Sequence, residues 1–72
     1  MKVHGEEITE LQIEAGLKAM TGKFTLTNIA GALHRAGVTN CERTADRLLS
    51  REKVAGRIVY SGGFWTQKEQ QK

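Results

Sequence analysis

Three arginines, Arg43, Arg47 and Arg51, stand four residues apart. On a helix that spacing stacks them on one face, where like charges cost an isolated helix about 0.2–0.5 kcal/mol per pair. A guanidinium presents five N–H donors in a planar fork, which suits phosphate oxygens and the O6 and N7 acceptors of guanine. An acceptor-rich polyanion would therefore relieve the repulsion. The competing reading is a solvated basic face trimmed by Glu42 and Asp46, with Arg43 and Asp46 as an exposed pair of little energetic worth.

Other reactive side chains are isolated. Cys41 has no cysteine with which to form an internal disulfide, and its place on the third predicted helix makes it a small core residue. His4 and His34 have no spacing to Cys41 or to a carboxylate that would form a zinc site. Glu6 and Glu7 precede the first predicted helix and lack a partner for acid–base work. The expectation is no catalytic residue, no metal and no cofactor.

The chain has 72 residues and a net charge of +3. That length supports one domain with a thin core, which keeps a homodimer open. Residues 1–34 carry a net −1 and residues 35–72 a net +4, so the basic half contains the arginine stripe. Such asymmetry fits a polyanionic partner. A lone cysteine and no signal-peptide pattern predict a reducing cytoplasm. No apolar run reaches the roughly 18–20 residues of a membrane span, and no small-molecule substrate is implied.

Thr9 and Gln12 form a capping-box pattern, with Ile8 and Ile13 spaced as a hydrophobic staple, so a first helix is expected from Thr9 to about Met20. Ile13, Leu17 and Met20 should face the core, with Leu11, Ala15 and Ala19 opposite. After Gly22, Phe24 anchors a strand too short for more than one or two ladder bonds. A second helix follows from Thr25 or Thr27 to about Ala36, ended by Gly37. Thr39 and Glu42 give a second capping-box pattern, opening a third helix from about Asn40 to Lys53.

On a wheel of 100° per residue, Cys41, Ala45, Leu48, Leu49 and the stem of Glu52 share the core-facing arc. Asn40, Arg43, Thr44, Arg47, Ser50 and Arg51 fall opposite. Beyond Gly56, two β-rich runs flank Gly62-Gly63, a strong hairpin signal that pairs Tyr60 with Trp65. Core packing is expected of both aromatics, with Val59 and Phe64 on the other face. Residues 1–7 read as a flexible segment, 8–67 as the domain and 68–72 as a disordered polar tail.

This order of helix, short strand, helix, turn, helix and hairpin resembles the winged helix-turn-helix superfamily over residues 8–67. The resemblance is carried by Phe24, Ile29, Ala30 and Leu33, by Gly37-Val38-Thr39, by Ala45, Leu48 and Leu49, and by Gly56-Arg57-Ile58 with Gly63-Phe64-Trp65. The chain is similar in size and layout to small fimbrial and prophage-encoded regulators of bacteria. The fold class so implied is α+β, with three helices, a short strand and a two-stranded wing.

The resemblance implies that the third helix enters the major groove of double-stranded DNA. Asn40, Arg43, Thr44 and Arg47 then become base-edge candidates, with Ser50 and Arg51 nearer the phosphates. Arginine can read guanine and asparagine adenine, which supports the assignment on chemistry alone. Amides near Thr25 and Thr27, at a helix N-terminus, suit a phosphate. Arg57, Ser61, Gly62 and Gly63 are the implied wing contacts, although the tip lacks the Lys or Arg of many DNA-reading wings.

The function expected is sequence-specific DNA binding by a small transcriptional regulator. The alternative is a protein–protein interaction module working through the first helix or the wing, because fold does not fix function. The Trp-bearing wing is also similar to winged helices that bind Z-form nucleic acid, but that group has a proline-rich wing and this chain has no proline.

Overall fold

A computed structural model describes residues 1–68. Of the tail 68–72 expected to be disordered, Lys68 is described, its amide donating to the Arg57 carbonyl at 2.8 Å, and residues 69–72 lie outside the described residues. The elements in order are β1 (Lys2–Val3), β2 (Glu6–Glu7), α1 (Glu10–Lys18), α2 (Leu26–Arg35), α3 (Cys41–Val54), β3 (Ile58–Ser61) and β4 (Phe64–Gln67). They give an α+β chain with three helices and two two-stranded antiparallel sheets, a layout compatible with a winged helix. Among the described residues, no helix is long and apolar enough to cross a membrane.

Thr9 caps α1 as its sequence predicts: its hydroxyl accepts from the Gln12 amide while Gln12 Oε1 accepts from the Thr9 amide at 2.9 Å. The helix ends at Lys18, two residues early, with Ala19 as its C-cap. Ile8, Ile13 and Met20 are buried and Leu17 packs partly against them, whereas Leu11 is 78% exposed. Thr25 caps α2 through a second reciprocal box with Asn28. The α2 termination at Gly37 uses φ 91°, a conformation that glycine adopts without a Cβ penalty.

The three helices converge on one cluster that includes Ile13, Ile29, Leu33, Ala45, Leu48 and Leu49. Gly16 lets α1 approach closely, because a Cβ there would lie 2.8 Å from Leu48 Cδ1 and 3.0 Å from Leu33 Cδ2. Both leucines are fully buried. Neither can swing into solvent to make room.

The second hairpin forms in the expected register, Tyr60 opposite Trp65 and Ser61 opposite Phe64, around Gly62 and Gly63 with φ 62° and 87°. Positive φ at both turn positions matches the strand twist. Phe24 bridges to Trp65 through two backbone bonds of 2.9 and 2.8 Å, which fastens the hairpin to the helices. Ile58 is buried and Trp65 half-buried. Tyr60 departs from the expected core position: it is 61% exposed and packs its ring on Trp65 at 5.1 Å, because Trp65 itself occupies the inner site.

Residues 1–7, expected to be a flexible lead-in, instead form the β1–β2 hairpin with Lys2 opposite Glu7 and Val3 opposite Glu6. Val3 is buried in the core cluster. The signal was His4-Gly5, an X-Gly pair with φ 47° and 82° that closes a two-residue turn.

Gly16→Val should lower stability by about 1–3 kcal/mol, the usual range for overpacking a filled core. Leu11→Ala, on the exposed side of α1, should change it by less than about 0.5 kcal/mol. Urea midpoints of the two variants measure the difference.

Candidate nucleic-acid interface

Helix α3 begins differently from its sequence pattern. Its N-cap is Asn40, with no side-chain cap bond, so the expected Thr39–Glu42 box does not form. The Glu6 carboxylate takes its place: Oε2 accepts from the Thr39 amide and Oε1 from the Asn40 amide, each at 2.8 Å. A carboxylate makes the stronger bond and also answers the positive end of the helix. The Thr39 amide foremost, then that of Asn40, holds the Glu6 carboxyl below its usual range.

This clasp seats the β1–β2 hairpin along one flank of α3. Asn40 Nδ2 donates to the Val3 carbonyl at 3.3 Å, and Arg43 Nη1 donates to His4 Nε2 at 2.8 Å. The hollow between hairpin and helix is lined by Val3, His4, Glu42, Arg43, Asp46 and Arg47. Sequence reasoning missed both His4 and Glu6, since each acts across more than thirty residues of chain.

Of the six α3 candidates, Arg43, Arg47, Ser50 and Arg51 are exposed together. Asn40 is half-buried with its side-chain amide engaged. Thr44 contradicts its assignment to the exposed arc: it is 0% exposed, and its hydroxyl has no hydrogen-bond partner among the described residues. On the wheel Thr44 lies about 40° from Leu48 and one turn beyond Asn40, on the flank where the hairpin packs. It is therefore withdrawn from base contact.

The arginines are little neutralised. Arg51 Nε lies 3.7 Å from Glu52 Oε2, whereas no carboxylate among the described residues pairs with Arg43 or Arg47. The suspected Arg43–Asp46 pair does not form. Asp46 and Glu42 are exposed beside the arginines and add negative charge to the same hollow.

Arg57 has a structural partner. Its Nε and Nη2 donate to the two Glu52 oxygens at 2.6 and 2.8 Å, and the Glu52 side chain is only 10% exposed. The Arg57 guanidinium holds the Glu52 carboxyl below its usual range, against the opposing effect of burial. Glu52 in turn pushes the Arg57 pKa up. Arg57 thus ties the end of α3 to β3.

At the wing tip, Ser61, Gly62 and Gly63 are exposed. Lys23 places its Nζ 5.9 Å from the Phe64 ring centroid, a cation that the sequence of the tip itself lacks. At the start of α2 the Thr25 and Asn28 amides are used by the capping box, which leaves the Leu26 and Thr27 amides as the donors without protein partners among the described residues. Thr27 is exposed beside them. Comparison with protein-family models, curated proteins and solved structures finds no match.

Two variants test these assignments. Thr44→Val replaces an unpartnered buried hydroxyl with a methyl of similar shape and should leave thermal stability unchanged or raised, as calorimetry would show. Arg57→Ala should lower stability at neutral pH, because it leaves a buried carboxylate without its donors. A carboxyl with a lowered folded pKa stabilises the fold above its unfolded pKa, and that contribution is lost as pH falls through the folded value. The Arg57→Ala deficit should therefore shrink in denaturation series taken below about pH 4.5.

Proposed function

We propose that this chain is a winged-helix protein that binds double-stranded DNA in a sequence-specific manner, as a small transcriptional regulator. The observation that carries the reading is the exposed pair Arg43 and Arg47, four residues apart on the helix after a tight turn and without a carboxylate partner among the described residues. In this reading α3 enters the major groove. Arg43 faces base edges, Arg47 lies at the groove edge, and Ser50 and Arg51 lie toward the phosphates.

Second contacts follow from the same pose. The Leu26 and Thr27 amides at the start of α2 are a phosphate site of the kind that helix N-termini provide. Ser61, Gly62 and Gly63 form the tip of the wing, with Lys23 beside Phe64 supplying positive charge. Asn40, Thr44 and Arg57 drop out as contacts because their side chains are committed within the fold or buried. The exposed Leu11, Val59 and Phe64 favour a second reading, a protein-binding module using α1 or the outer face of the wing.

The test is titration of a fluorescent duplex, selected from a random library, with the unaltered chain, Arg43→Ala and Arg47→Ala. Each variant should weaken binding by roughly tenfold or more, the range for loss of one good arginine contact. If Arg47 meets a phosphate, its loss should also lower the logarithmic salt slope by about one. Binding that is absent, or that is salt-insensitive and unchanged in both variants, rejects the reading.

A further inference from the structure

The tip of the β1–β2 hairpin touches the arginine stripe at one atom pair, Arg43 Nη1 and His4 Nε2, 2.8 Å apart. Arginine can only donate, so Nε2 is the acceptor in this contact. The Nε and Nη2 edge of Arg43 is left without a partner among the described residues. That edge is one of the two over which a guanidinium makes paired bonds.

The turn alone does not call for a histidine. His4 sits at φ 47° ahead of Gly5 at 82°, positions where Asn-Gly or Gly-Gly is preferred. The hairpin that carries it is nevertheless well braced, since Glu6 accepts from the Thr39 and Asn40 amides just ahead of α3 and Asn40 binds Val3 on the adjoining strand. The hairpin is thus fixed to the helix on both sides of the contact.

We propose that His4 is a positioning residue for base recognition: it fixes the Arg43 guanidinium so that its free edge meets O6 and N7 of a guanine. The inference rests on the DNA-binding reading above and deepens it. Glu42 and Asp46 favour base over phosphate, because both line the hollow shared by His4, Arg43 and Arg47. Two carboxylates repel a phosphate. A guanine edge presents acceptors without a formal charge, and held donors lose less rotational freedom on meeting it.

The experiment measures affinity for the selected duplex and for duplexes that replace each base pair in turn. Arg43→Ala should abolish discrimination at one G·C pair, roughly tenfold or more. His4→Gly removes the ring while easing the positive φ. It should keep the thermal midpoint and the salt slope, yet lose severalfold discrimination at that same pair. His4→Gln, whose amide oxygen can accept from Nη1, should restore it.

Full discrimination retained in His4→Gly at the pair that Arg43→Ala abolishes overturns the inference and leaves the DNA reading standing. So does a uniform loss by Arg43→Ala across all duplexes, the sign of a phosphate contact, or a His4→Gly loss spread evenly over every pair. Failure of the unaltered chain to bind any duplex overturns both.

Discussion

The missing side chain at Gly16 is the constraint on which the arrangement rests. It allows Leu33 and Leu48 to fill the space against α1, and those leucines belong to α2 and α3. In so short a chain the buried apolar area is small, so each contact among the helices carries a large share of the stability. The direction in which α3 presents its outer face follows from this junction.

The two ends of α3 are then fixed by ionic contacts of opposite construction. At the start, Glu6 answers the helix dipole and two amides. At the end, Arg57 encloses Glu52, which hangs from the helix itself. One clasp brings an outside charge to the helix and the other takes a helix charge outward. Between them, Arg43, Arg47 and Ser50 are left for whatever the face meets.

Local patterns in the sequence identify those features whose causes are local. Thr9 with Gln12 marks the start of α1, Gly37 the end of α2, and Gly62-Gly63 the register that sets Tyr60 against Trp65. The wheel also separates Leu48 and Leu49 from Arg43 and Arg47. It misplaces Thr44, because the width of a buried arc depends on what packs beside the helix. The Thr39 box fails for a related reason: a charged competitor, Glu6, arrives from a part of the chain with too few residues to show a pattern. Only the His4-Gly5 pair marks that hairpin, and neither residue points to Arg43.

The single rung between Phe24 and Trp65 has a consequence for the order of assembly. It joins segments separated by the whole of α2 and α3, as the Glu6 clasp joins β2 to the start of α3. Closing such loops carries an entropic cost that short-range helix contacts avoid. The α2–α3 pair is connected by only a few residues and can nucleate first, giving both hairpins a formed surface on which to dock. On loop-closure cost alone, the two ribbons are expected to join a helical nucleus late, with the face bearing Arg47 taking shape before the elements that border it.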